Sequence, residues 1–180
     1  MAASIGNDNA LEVYLRLMAH TRKVARESDT ERFLFYDQSI AEGDDWNASS
    51  FHKKVQYNGD LGERMSDAFS QVLSECESAV IIGSDCPEIS PEIIEAAFKK
   101  LELADVVVGP TFDGGYYLLG MNKLYPFLFQ DIEWSSTSVY DNTIQKIASN
   151  NLLYTVLEVK SDLDYVEDLE KFPAFSKNIL

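Results

Sequence analysis

An α/β sandwich with a mostly parallel sheet is the fold class that the sequence predicts, and three observations predict it. Short apolar runs alternate with amphipathic helical stretches along the 180 residues. Parallel strands need such crossovers, because a tight hairpin cannot join them. Runs such as "RFLFY" (32–36), "AVII" (79–82) and "VVV" (106–108) are apolar at successive positions. That is the mark of strands covered on both faces. No repeat or linker interrupts the alternation, so residues 1–180 read as one domain.

The elements follow in order. Leu11, Tyr14, Leu15, Met18 and Ala25 keep helical spacing and predict a helix over 9–27, with Asn7 or Asp8 as its cap. "RFLFY" is a strand, and the polar stretch from 37 to 50 a loop. "KKVQYNGD" holds a second short strand. Leu61, Met65, Phe69, Val72 and Leu73 mark the next helix. "SAVIIGSD" is the clearest strand, and Ser90-Pro91-Glu92 a helix start: a capping hydroxyl, proline at the first position and an acid in the first turn. Ile94, Ala97, Phe98 and Leu101 give that helix its apolar face. "ADVVVGP" and "GGYYLLGM" are strands whose short connection predicts an antiparallel pair. Residues 122–130 and 137–149 are expected to be helical, "LLYTVLEV" a strand and "DYVEDLEKF" a last helix.

Composition narrows the function. The net charge is −15, which repels a polyanion, so nucleic acid is not an expected partner. No apolar run approaches the roughly 20 residues of a membrane span. The first ten residues lack the basic and apolar regions of a secretory signal, and a reducing cytoplasm is expected. Cys76 and Cys86 form no disulfide framework, and two histidines, His20 and His52, cannot build a histidine-rich metal centre. A small anionic ligand would need local cations, backbone N–H groups or a metal ion.

Acids follow strands at three places: Asp85 after "AVIIGS", Asp113 after "VVVGPTF", and Asp162 and Asp164 after "TVLEVKS". Ligands of open α/β sheets bind beyond the carboxyl ends of strands. Magnesium takes hard oxygen ligands, often one or two carboxylates with a substrate phosphate. Asp85 and Asp164 are therefore the expected metal pair, although any single Asp more often caps a helix or solvates a loop. In "DGGYY", Gly114 and Gly115 either let a ligand lie on backbone amides or simply make a tight turn. Tyr116 and Tyr117 point to opposite faces, one to the core and one to a cleft. "QYNGDLGERM" sets Gln56, Asp60 and Arg64 around glycines before a helix, a weak anion-site pattern. "EWSSTSVYD" offers Trp134, for stacking or core, and Ser135 or Ser136 as a helix cap. No Ser/His/Asp triad is visible.

Taken together, "GSDCPEISPEIIEAAF", "VVVGPTFDGGYYLLGM", "WSSTSV", "DLGERM" and "DLDYVEDL" resemble a bacterial glycosyltransferase-like family of the GT-A, or nucleotide-diphospho-sugar transferase, superfamily. Its relatives include 2-phospholactate guanylyltransferase and molybdenum cofactor guanylyltransferase. The resemblance implies a Rossmann-like GT-A three-layer α/β/α sandwich that binds a nucleotide or nucleotide-sugar with Mg²⁺ or Mn²⁺. It implies that Asp85 and Asp164 hold the metal, and that Asp113, Gly114 and Gly115 line the acceptor side. Gln56, Asp60, Gly62 and Arg64 match a segment near the nucleotide, and Ser84 of "GSD" joins them. Tyr116, Trp134 and Ser136 are the further substrate-side candidates.

Family members begin with an additional strand and a basic loop, and Met1 here corresponds to a point beyond that loop. The chain is thus expected to be an N-terminally shortened member. Unpaired buried backbone groups beside a missing central strand cost about 1–3 kcal/mol each. Neighbouring strands would close up, or another chain, in a homo-oligomer, would fill the gap. The expected function is metal-dependent nucleotidyl or glycosyl transfer, with Asp113 as base if the transfer is glycosyl and inverting. The alternative is a non-catalytic scaffold that binds a ligand or assembles with a partner.

Overall fold

The computed structural model describes residues 1–177 and 179. A short helix α1 (Ala2–Ile5) turns at Gly6 into the long helix α2 (Asn7–Glu27). Gly6, at φ 81°, is the N-cap and offers no side chain. Asn7 and Asp8 therefore fall inside the helix rather than capping it, where Asp8 still favours the N-terminal dipole. β1 (Phe33–Tyr36), β2 (His52–Val55), α3 (Leu61–Leu73) and β3 (Ala79–Ile82) follow. The Asp60 carboxylate accepts from the Glu63 N–H at 2.8 Å, and Glu63 accepts from the Asp60 N–H at 2.9 Å, a reciprocal cap for α3. α4 (Pro91–Leu101) starts at Ser90 as expected, the hydroxyl accepting from the Ile93 N–H.

β4 (Val106–Pro110), β5 (Tyr116–Met121), α5 (Val139–Ser149), β6 (Tyr154–Val156) and α6 (Pro173–Ser176) complete the chain. Two expected helices shrink to single 3₁₀ turns, Pro126–Phe129 and Val166–Glu170. Proline accounts for the first: Pro126 lacks the N–H that a helix through 122–130 requires. At the second, Phe172 before Pro173 sits at φ −125° and ψ 73°, so no helix continues from 166–170 into α6.

The strands form two sheets, β1-β2 and β3-β5-β4-β6. β1 and β2 are parallel, as are β4 and β6. β5 runs against both β3 and β4. Three of the four strands in the larger sheet therefore share a direction. Two of its three ladders are nonetheless antiparallel, because β5 is inserted between strands that run the same way. The short connection through Gly114 and Gly115 makes the expected β4–β5 hairpin.

Helices cover both faces, giving the three-layer α/β/α arrangement. One core joins Met65 and Phe69 of α3 and Ile147 of α5 to Val106, Val108 and Leu119. The other joins Val24 of α2 and Ile94, Ala97 and Leu101 of α4 to Val107 and Leu118. Each of these strand residues is at most 1% exposed. Burying such a side chain contributes roughly 1.5–3 kcal/mol. A third cluster packs Val13 and Leu17 of α2 against Leu163 and Leu169, holding the C-terminal segment on the long helix. Among the described residues no helix is long and apolar enough to cross a membrane.

Candidate functional site

The carboxyl ends of β3 and β4 and the segment after β6 converge. Backbone hydrogen bonds hold them together: the Phe112 N–H donates to the Lys160 carbonyl at 3.2 Å, the Lys160 N–H to the Pro110 carbonyl at 3.1 Å, and the Leu163 N–H to the Asp85 carbonyl at 2.9 Å. The last bond ties the "DLD" segment to the residue after "GS". One ligand oxygen from each of Asp113, Asp162 and Asp164 lies within 4.8 Å of the others. Asp85 opens onto the same cavity.

Local geometry fixes Asp113. Its Oδ1 accepts from the Thr111 hydroxyl and from the Gly115 N–H, an Asx-type turn that leaves Oδ2 for a ligand. Gly114, at φ 94°, must be glycine twice over. A side chain would resist that backbone angle, and its Cβ would meet the Thr137 carbonyl oxygen at 2.0 Å. The Gly114 carbonyl accepts from the Tyr140 N–H at 2.8 Å, so the turn is locked to the start of α5.

Crowding of acids has an electrostatic signature. Burial pushes Asp162 up to about 6, with the negative charges of Asp113, Asp164 and Asp85 adding to it. Burial also raises Asp164, helped by Asp85 and Asp113. The Asp85 carboxylate is reached by solvent through the cavity, yet the protein around it displaces enough water to raise it too, with Asp113 contributing. Desolvation and like charge both disfavour the ionised form. A cation among these groups would relieve the repulsion.

The cavity measures about 2120 Å³. Of the sequence-level candidates, Gln56, Arg64, Ser84, Asp85, Asp113, Gly115, Tyr116, Trp134, Ser136 and Asp164 line it. Asp60, Gly62 and Gly114 do not. Asp60 is engaged in the α3 cap. Gly62 lies under the Trp134 ring, where a Cβ would meet ring atoms at 2.6 Å. Tyr117 is the core tyrosine of its pair, donating to the Glu158 carbonyl at 3.1 Å. Tyr116 lines the cavity, but its hydroxyl turns inward to the Met65 sulfur at 3.8 Å, and burial raises its pKa strongly. Ser136 makes a local turn, donating to the Glu133 carbonyl at 2.7 Å.

Three participants were not singled out from the sequence as site residues. Asp162 stands within the acid cluster beside Asp164. Thr111 orients Asp113. Asp37 pairs with Arg64 at 2.8 Å, while the same guanidinium donates to Gln56 at 3.1 Å and to the Gly59 carbonyl at 2.8 Å. The doubled acid in "DLD" was a visible signal for Asp162. Nothing local marked Asp37, which lies 27 residues from its partner.

Solved structures share this architecture. A protein of Desulfovibrio desulfuricans G20, whose assignment as a nucleotide-diphospho-sugar transferase is itself provisional, superposes with a TM-score of 0.87 at 28% identity. The match covers 98% of this chain and 80% of that one. CMP:2-keto-3-deoxy-manno-octonic acid synthetase, solved with CTP, gives 0.58 at 12% identity over 91% of this chain and 88% of its own. Rv0371c of Mycobacterium tuberculosis H37Rv, solved with manganese, gives 0.56 at 14% identity over 86% and 84%. The last two likenesses concern the fold. No curated protein matches the chain. A family model spans residues 19–136, which run from the middle of α2 to the serines before α5 and include Asp85 and Asp113. The chain belongs to that family, described as an uncharacterized protein conserved in bacteria (DUF2064).

Proposed function

We infer that the protein is a transferase acting on a nucleotide or nucleotide-sugar, with a divalent cation, Mg²⁺ or Mn²⁺, as cofactor. The observation that carries this reading is the meeting of Asp113, Asp162 and Asp164, from two separate strand ends, with oxygens within 4.8 Å of one another, on a cavity that Asp85 also lines. The neighbours solved with CTP and with manganese support it, as does the provisional assignment of the 28% identical protein.

The donor set fits such an ion. Carboxylates are the hard oxygen ligands that Mg²⁺ and Mn²⁺ take. Two ligands of one Mg²⁺ lie at most about 4.2 Å apart, so small side-chain rotations suffice to bring oxygens within 4.8 Å onto one ion. Asp164 and Asp85, with Asp162 and the free oxygen of Asp113, would hold it. When bound, the cation would offset phosphate charge at the reacting group.

The chain's own residues do the rest. Arg64, held by Asp37 and Gln56, presents a guanidinium to the cavity for a phosphate or ribose hydroxyl. Ser84 adds a hydroxyl beside Asp85. Trp134 supplies a flat edge, and the amides around Gly115 a backbone wall. In nucleotidyl transfer an anionic acceptor needs no strong base. In inverting glycosyl transfer Asp113 would serve as the base through its free oxygen. The resemblance of the motifs to those of guanylyltransferases makes GTP the first triphosphate to try.

Titration calorimetry with Mn²⁺ and nucleotides tests the reading. Asp164→Asn combined with Asp85→Asn should weaken Mn²⁺-dependent nucleotide binding at least about 100-fold, roughly 2.7 kcal/mol, with the far-ultraviolet circular dichroism unchanged. Unchanged binding would reject the assignment. A second reading, binding without turnover, is favoured by the separation of the two sheets. Binding of a nucleotide-sugar without product formation would select it.

A further inference from the structure

The larger sheet ends at β6, which pairs with β4 and, among the described residues, with no other strand. The Leu153 carbonyl accepts from the Val106 N–H at 3.1 Å, and the Leu157 N–H donates to the Val108 carbonyl at 2.8 Å. The odd-numbered residues of this stretch thus bond β4, and the N–H and C=O groups of Tyr154 and Val156 point away from the sheet. The free edge is bounded on both sides. Asn151, at φ 56°, turns the chain before it. After it the ladder changes parity: the Lys160 N–H donates to the Pro110 carbonyl, and the Lys160 carbonyl accepts from the Phe112 N–H. Leu153 to Leu157 therefore form an edge centred on Thr155. It carries no charge and no proline, the devices by which edge strands are commonly guarded against pairing. Leu153, Tyr154 and Val156 are exposed, as is Leu103, in the turn that Asp105 bonds to Leu153.

We propose that this edge pairs with its own copy: two chains associate through antiparallel β6 strands about a twofold axis at Thr155, so that their larger sheets join into one. Alternate N–H and C=O groups along an edge ask for a backbone. A second copy answers better than an unrelated strand, because this stretch complements itself. With Thr155 opposite Thr155, Tyr154 faces Val156 of the second copy, and Leu153 faces its Leu157. The outward N–H and C=O groups of Tyr154 and Val156 are then all bonded. Every opposed pair is apolar or Thr with Thr, and aromatic with β-branched and Thr with Thr are favourable cross-strand pairs. Sliding the copies by two residues either sets the Glu158 carboxylate against Tyr154 or runs the ladder into the Asn151 turn. Twofold contacts of this self-matching kind are the commonest among soluble oligomers.

Assembly and site stay apart in this arrangement. β6 runs towards the acid cluster. In an antiparallel pair the two clusters lie at opposite ends of the shared edge, and each cavity stays complete within one chain. The proposal therefore depends on neither the metal nor the nucleotide reading, and its test uses neither. The net charge of −15 on each chain opposes association. The contact is also small, at the low end of specific interfaces, roughly 1,200 Å² in total. A reversible dimer with a dissociation constant on the order of 10 μM is expected at physiological ionic strength, where fields between exposed charges fade within about 8 Å.

Sedimentation velocity from about 2 to about 400 μM tests it, and the protein should pass from monomer to dimer across that range. Val156→Lys should weaken association at least about tenfold by placing a charge on the edge. Val156→Pro, which deletes only an outward N–H, should do the same, with circular dichroism unchanged in both variants. Disulfide trapping then reads the register. Cys86 is buried and stays, and Cys76→Ser removes the other free thiol. In that background Thr155→Cys should link two chains under mild oxidation, because opposed residues of a non-hydrogen-bonded pair lie about 4.5 Å apart at Cα. Tyr154→Cys should not, since its counterpart lies beyond the roughly 7 Å that a disulfide spans. A monomer at every concentration would overturn the proposal. So would a dimer that tolerates Val156→Lys, or one that Tyr154→Cys links as readily as Thr155→Cys, for it would use another surface or register.

Discussion

β4 with β5, and β1 with β3, are built from similarly apolar residues but sit in different environments. Every residue of β4 is buried, and β5 is buried beyond its first position. β1 is half-buried throughout, and β3 is buried only at Ala79. The difference is not hydrophobicity, since "FLFY" and "AVII" are as apolar as "VVVGP". It is the number of neighbours. β4 and β5 have a strand on each side and a helix layer on each face, whereas among the described residues β1 pairs with β2 alone and β3 with β5 alone. Apolarity states the demand for cover, and topology decides whether the demand is met.

The largest expected effect tests that contrast directly. Leu119→Ala, at a residue 1% exposed, should cost about 2–5 kcal/mol in urea unfolding. Leu34→Ala on β1 should cost less than about 1.5 kcal/mol. Comparable losses would show that β1 is as well packed in solution as β5. Gly114→Ala comes next, at roughly 1–3 kcal/mol from backbone strain, with added loss from its contact with Thr137. Because Gly114 anchors the β4–β5 turn to α5, circular dichroism should still report a folded protein.

The smallest effect lies at the acid cluster, where both regions end, and depends on pH. Unfolded Asp titrates near 3.9, whereas Asp162 in the fold is pushed up to about 6. The folded state therefore holds this proton more tightly. Asp162 favours folding at low pH, and that advantage is lost as pH rises from about 4 to about 6. In the absence of divalent ions, the Tm of Asp162→Asn relative to wild type should rise across this window and level off above it. Added Mn²⁺ should reverse the ordering at pH 7 by stabilising the wild type. A constant difference across pH would remove Asp162 from the cluster.

Much of this was legible from residue order. The strand-then-acid pattern marked Asp85 and Asp113, Ser90-Pro91-Glu92 marked the start of α4, and the short link before "GGYYLLGM" marked the reversed strand. The sequence pattern missed features set by contacts distant along the chain. Asp162 and Asp164 both follow β6, and only the bond from the Leu163 N–H to the Asp85 carbonyl decides how the segment lies. Asp60 caps α3 and Gly62 lies under Trp134, and a glycine-rich helix start serves capping and anion binding with the same residue types, so the sequence alone does not separate the two. The opening between β1 and β3 was invisible to periodicity, which reports what a strand wants on its faces and nothing about its edges.

Arg64 carries a final consequence. Its guanidinium is already bonded to Asp37, so on the proposed reading a phosphate would not meet a free cation but would have to share it with, or take it from, an existing carboxylate partner. Binding there is an exchange of one anion for another. Dissolved electrolyte weakens the resident pair as well as the incoming one. Affinity at this end of the cavity should therefore fall less steeply with ionic strength than a count of the ligand's charges would suggest.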